Sequence, residues 1–214
     1  MKNRYDLKKS LLFTLLLVFM GLANSAYAQK RYPISIVMGY VTDNTTAHVT
    51  LANGDEVDNV FAYRGLYVGS YYNYAYCNVG LQLLFEPLHH KGTMPLGQYA
   101  PSSQVLLEMP ITTPKLGFRI ARYYNEYITY YTLIAARVGV APSYNFSVSS
   151  DFGGMNQFDV KLLGFVSVDF SKIGFEVGIR KGLLDLDKHG SPSSEIDEIK
   201  TKTFGLTFGV TYTF

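Results

Sequence analysis

Four histidines, at positions 48, 89, 90 and 189, are the side chains of this 214-residue chain best suited to acid–base or metal chemistry near neutral pH. Glu86 stands three residues before His89 and four before His90, so the three could supply part of a metal site, and either histidine could act as base for Ser102 or Ser103. Their surroundings argue otherwise. Pro87 to Ser103 contains three prolines and reads as a solvated loop, and every histidine falls in a stretch that reads as an external loop. No Gly-rich phosphate loop, zinc pattern or paired-carboxylate motif is present. The residues therefore predict no catalytic group, no metal ligand and no cofactor, leaving a lipid hydrolase as a minor alternative.

A second set of residues points to electrostatics rather than catalysis. Glu86, Glu108, Arg119, Arg137, Asp159, Lys161, Glu176 and Arg180 each sit in a segment whose alternate positions are apolar. Successive side chains of a strand point to opposite faces, so these four acids and four bases share the face away from the apolar side chains. If the apolar faces meet lipid, the charges fill a lumen. The opposite phase would place Arg or Lys against lipid at about 2 to 4 kcal/mol each near the midplane. Eight strands make a barrel just wide enough to be filled by its own side chains, so balanced charge predicts a salt-bridged plug. A small selective porin is the alternative, although a pore would favour an excess of one sign.

The elements that must position these charges are strands. Phe204, Leu206, Phe208, Val210, Tyr212 and Phe214 alternate with Gly205, Thr207, Gly209, Thr211 and Thr213 up to the last residue. Upstream, period-two segments run over 34–41, 64–72, 76–86, 105–121, 127–141, 157–170 and 174–183, giving eight strands in all. In the fourth, the apolar phase moves from Leu107, Met109 and Ile111 to Leu116, Phe118 and Ile120, which predicts a bulge near Thr113 between Pro110 and Pro114. Asp43 to Tyr63 reads as a long polar loop with a small hairpin of its own at Asn53-Gly54. Connections alternate long and short along the chain, as in outer-membrane barrels with long external loops and short periplasmic turns. Tyr71, Tyr72, Tyr74 and Tyr76, with Tyr123, Tyr124, Tyr127, Tyr130 and Tyr131, fall at the periplasmic turns and read as an aromatic girdle, or else as a surface for a periplasmic partner.

The N-terminus fits export. Lys2, Arg4, Lys8 and Lys9 precede an uncharged 12-residue run from Leu11 to Leu22, and Ala26-Tyr27-Ala28 offers a cleavage site, so residues 1–28 are expected to be a signal peptide and 29–214 the barrel domain. A transmembrane helix would need about 20 apolar residues. The chain has 19 Lys and Arg against 17 Asp and Glu; the leader holds four of the bases and one of the acids, leaving 15 against 16. No basic excess remains for nucleic acid. The single Cys77 makes no intramolecular disulfide.

At Gly69, Leu107-Glu108-Met109-Pro110, Asp159, Arg180-Lys181-Gly182-Leu183 and the aromatic C-terminus, the chain resembles the PorT-like family of small outer-membrane β-barrels of Gram-negative bacteria. It departs from that pattern in a longer first loop and in Pro114. The resemblance implies an all-β, eight-stranded antiparallel up-and-down barrel in the outer membrane. It also implies assembly by the barrel assembly machinery, with Phe204, Phe208, Tyr212 and Phe214 as the terminal signal. The expected role is non-enzymatic: structural, adhesive or accessory to secretion, with outer-membrane lipid and a secretion-system or periplasmic protein as the partners implied.

Overall fold

Ten strands are hydrogen-bonded into one antiparallel sheet that closes on itself: β1 (Ile34–Leu51), β2 (Glu56–Asn73), β3 (Asn78–His90), β4 (Ser103–Glu108), β5 (Ile111–Thr112), β6 (Leu116–Tyr124), β7 (Thr129–Asn145), β8 (Phe158–Phe170), β9 (Ile173–Gly182) and β10 (Ile196–Thr213). The computed structural model describes residues 34–51, 53–74, 76–90, 102–124, 129–147, 157–184 and 196–214, with backbone alone for 121–124, 129–131 and 196–199. The expected leader, residues 1–28, lies outside the described residues.

β4, β5 and β6 are pieces of one barrel stave, so the ring has eight staves. Pro110 cannot donate to a ladder, yet the register runs straight past it: Glu108 faces Ser143 and Ile111 faces Val140. Beyond Pro114 the register slips by one residue, with Leu116 facing Ala136. This is the bulge expected near Thr113. It turns Met109 and Ile111 outward before it and Phe118 and Ile120 outward after it.

Closure fixes the shape. Followed from partner to partner, Ile34 leads through Tyr72, Val79, Ile111, Val140, Leu162, Lys181 and Phe204 back to Asn44, ten residues above the start. Eight staves with that stagger tilt by about 40° and enclose a backbone radius of about 8 Å. So narrow a tube holds large side chains only where a neighbour is small. Gly39 and Gly209 are paired across β1 and β10, and a Cβ on either would strike the Tyr67 ring or its hydroxyl. Gly205 leaves the same room for Asp43.

The outward face is an apolar belt, including Met38 (59 % exposed), Leu66 (67 %) and Phe175 (53 %). Above it the structure departs from the sequence reading. The long first loop is absent: β1 and β2 continue as strands to the turn at Asn53-Gly54, where Gly54 has φ 88°. β7 likewise extends through Pro142 to Asn145, and β10 starts at Ile196, inside a stretch that reads as loop. Each residue rises about 2.5 Å along the axis at this tilt, so an apolar band about 25 Å tall takes about ten residues. The 18-residue strands β10, β1 and β2 therefore stand about 20 Å above the belt as a three-stranded ridge.

Candidate functional site

The inward face of the barrel carries charge in two tiers. In the upper tier Arg180 of β9 reaches three carboxylates. Its Nε lies 3.3 Å from Asp43 Oδ1, its Nη1 lies 4.0 Å from Glu86 Oε1, and its Nη2 donates to Glu108 Oε1. Lys161 Nζ joins the same acids, 3.0 Å from Asp43 Oδ2 and 2.9 Å from Glu108 Oε1. None of the five side chains is more than 3 % exposed as a residue. β1, β3, β4, β8 and β9 each contribute one member, so the network ties five staves across the axis. Three acids share two bases, and neither oxygen of Glu86 accepts a hydrogen bond among the described residues.

The lower tier is built from separate pairs. Arg137 Nη2 donates to Glu176 Oε2 at 2.7 Å. Its guanidinium carbon lies 4.4 Å from the ring centroids of both Tyr71 and Phe165, a cation between two aromatic faces. Gln82 Nε2 donates to the Tyr71 hydroxyl at 2.8 Å, fixing that ring. Nearer the short-turn end, Lys115 Nζ meets Asp169 Oδ1 at 2.6 Å. Ser35, Lys115, Arg137, Asp169, Ser171 and Thr213 line a cavity of about 40 Å³ there. That is room for a few waters rather than for a substrate.

The eight charges expected in the lumen divide as follows. Glu86, Glu108, Arg137, Asp159, Lys161, Glu176 and Arg180 are buried. Arg119 is exposed on β6 and does not join them; below the bulge this stave runs past the start of β3 and pairs only with β7 among the described residues. Asp159 accepts hydrogen bonds from the Val160 and Leu184 amides at 2.7 and 3.3 Å and from Thr203 Oγ1 at 3.4 Å, and it has no cation within 4.0 Å among the described residues. Asp43, Lys115 and Asp169 were missed. Asp43 falls in the polar stretch after Val41, Lys115 directly follows the register-shifting Pro114, and Asp169 shares Asp159's face without having been counted with it. Parity with Val37 and Val41 was the signal available for Asp43.

The remaining candidates are scattered. His48 pairs with Asp58 across the exposed ridge, and His89 and His90 are exposed at the end of β3, on strands rather than in loops. Glu86 points into the lumen away from both. His189 lies outside the described residues. No group of three His, Cys, Asp or Glu side chains is arranged to hold a metal ion among the described residues. Phe204, Phe208, Tyr212 and Phe214 all face outward. Of the tyrosines, Tyr72, Tyr74 and Tyr76 are exposed as a girdle requires, but Tyr71 is a lumen residue, 2 % exposed. Tyr127 and the side chains of Tyr123, Tyr124, Tyr130 and Tyr131 lie outside the described residues.

Pairing from stave to stave around the ring satisfies the backbone as a bilayer requires, and the barrel carries an apolar exterior over an interior in which buried ion pairs lie among polar and a few apolar side chains, the reverse of a soluble barrel. The chain is an integral outer-membrane β-barrel. No family model and no curated protein matches it. Among solved structures it is similar to Neisserial surface protein A (12 % identity, 83 % of this chain and 97 % of that one, TM-score 0.35). It is also similar to Ail, the attachment invasion locus protein of Yersinia pestis (15 %, 83 % and 98 %, TM-score 0.28). A third likeness is the translocator domain of the autotransporter NalP from Neisseria meningitidis (9 %, 98 % and 98 %, TM-score 0.28).

Proposed function

We propose that this barrel is a non-conducting, non-enzymatic anchor that holds the β10–β1–β2 ridge outside the cell, in an adhesive, structural or secretion-accessory role. The observation that carries the reading is the upper network: five buried charged groups from five staves meet across a tube of about 8 Å backbone radius. An ion crossing there would have to part Arg180 and Lys161 from their carboxylates. The resemblance to the PorT-like family agrees with this role. Assembly through the terminal aromatics Phe204, Phe208, Tyr212 and Phe214 belongs to the same reading, as does a periplasmic or secretion-system partner at the turn side. Deleting Phe214 should then lower the amount of assembled barrel in cells more than the stability of the finished one.

Planar-bilayer recording of the purified barrel tests the proposal. The plugged anchor gives no steady current, and stepwise cation-selective conductance would refute it. One observation favours that second reading, a small cation-selective porin: the upper tier holds three acids against two bases, an excess of negative sign.

A further inference from the structure

The outward face of the barrel changes character at one level. On β9, β10, β1 and β2 the continuous apolar belt ends at Ile179, Leu206, Tyr40 and Leu66, with Phe204 reaching slightly above and Leu183, Leu184 and Val60 exposed beyond it. Directly above stand Lys181, Lys202 and Arg64, all exposed and outward-facing. Lys181 is the register partner of Phe204, and Lys202 follows two residues from Phe204 on the same face, so their Cα atoms are diagonal neighbours about 7 to 8 Å apart. Arg64 is the partner of Thr42, which is in turn the partner of Leu206, so it stands two strands away at the lip of the belt.

The other outward positions up to the level of Lys202 are Thr42, Asn44, Thr46, Val60 and Ala62, with Leu183 just past the end of β9, none of them acidic. The next acid on this face, Asp58, is held by His48. None of the three bases is paired with a carboxylate among the described residues. In the lumen, by contrast, every buried base meets a carboxylate within 3.3 Å. Three cations without a carboxylate partner among the described residues, at the height where a lipid's acyl chains end and its headgroup begins, complement an anion delivered by the bilayer itself.

We propose that Arg64, Lys181 and Lys202 form a docking panel for the phosphate groups of outer-leaflet lipid. The acyl chains lie along the belt below, and the three side chains converge on the headgroup phosphates from the β2 and the β9–β10 sides. The panel rests on the placement of the belt in the outer membrane, but not on whether the lumen conducts.

The test uses the full-length barrel in zwitterionic micelles, with folding verified by its heat-modifiable migration on gels. Lipid retention is read by native mass spectrometry for a bis-phosphorylated glucosamine lipid and for the same lipid with both phosphates removed. The phosphorylated lipid should bind at least tenfold more tightly, and Arg64→Gln/Lys181→Gln/Lys202→Gln should reduce it to the level of the dephosphorylated one. Arg64→Lys/Lys181→Arg/Lys202→Arg should keep the preference. Equal binding of the two lipids, or unchanged retention by the Gln variant, would overturn the proposal and leave the bases as solvated or loop-bound charge. Displacement of the lipid by millimolar inorganic phosphate would also overturn it, by assigning the panel to a free anion. Failure to fold into micelles at all would instead count against the membrane placement.

Discussion

The two tiers of the lumen use the same residue types in different ways. In the upper tier Asp43, Glu86, Glu108, Lys161 and Arg180 form one connected set, in which each base contacts at least two acids. In the lower tier Arg137–Glu176 and Lys115–Asp169 are separate pairs, and Arg137 owes part of its environment to the Tyr71 and Phe165 rings. Burying charge costs free energy wherever it occurs, and the mutual attraction repays that only when geometry and hydrogen bonds are good. The upper tier meets the condition by sharing at every member but Glu86, so one loss is felt at several carboxylates. The lower tier meets it locally, so a loss should stay with one partner.

The largest effect that would separate the tiers is Arg180→Ala. It leaves Asp43, Glu86 and Glu108 with only Lys161, and breaking a buried pair costs about 3 to 5 kcal/mol; sharing places this variant at the upper end. Urea unfolding of the refolded barrel should read the loss, and adding Glu108→Gln should recover part of it in a double-mutant cycle. A smaller loss of about 3 kcal/mol is expected for Arg137→Ala, which strands Glu176 alone. If Arg137→Ala costs as much as Arg180→Ala, or if Glu108→Gln restores nothing, the distinction between a shared network and separate pairs fails. Arg137→Lys sharpens the comparison further. It keeps a cation beside Glu176 but gives up the planar group between two rings, a loss of about 1 to 2 kcal/mol, and the same unfolding curves will show it.

Much of this arrangement is written in the period-two pattern, because parity alone decides which face a strand residue takes. Parity placed Glu108, Lys161, Glu176 and Arg180 on the inner face, and the phase change around Thr113 marked the bulge. What parity does not carry is height and partner. Arg180 meets Glu108 across the barrel because of the ten-residue stagger, a property of closure by all eight staves, and no local stretch encodes it. Asp43 was hidden for a different reason. Beyond Tyr40 the outer face of β1 turns to Thr42, Asn44, Thr46 and His48 as the strand leaves the membrane, while the inner face continues through Val41, Asp43, Thr45, Ala47 and Val49. With the apolar outer face gone, an intact strand resembles a polar loop. Arg119 fails in the opposite sense, since its stave continues below the bulge past the start of β3, where it pairs only with β7 among the described residues.

The smallest expected effect lies in the upper tier itself, at Glu86. It is fully buried, its nearest base is Arg180 Nη1 at 4.0 Å, and neither of its oxygens accepts a hydrogen bond among the described residues. In a set with three acids and two bases it is the acid with the poorest contacts. Glu86→Gln keeps the shape, removes the surplus negative charge and leaves Arg180 with Asp43 and Glu108. A buried charge without close partners costs free energy that its neutral isostere does not, so stability should stay within about 1 kcal/mol of the parent or rise. Glu176→Gln is the same chemical change in the lower tier, yet it takes from Arg137 the only carboxylate that pairs with it among the described residues and should destabilise by about 3 kcal/mol. Parallel urea titrations of the two variants decide the matter. Equal losses would mean that Glu86 is bound as firmly as Glu176 and that the upper tier carries no surplus acid. A clear difference would identify Glu86 as the group whose neutralisation leaves the plug intact, and the porin reading would then lose the excess charge on which it rests.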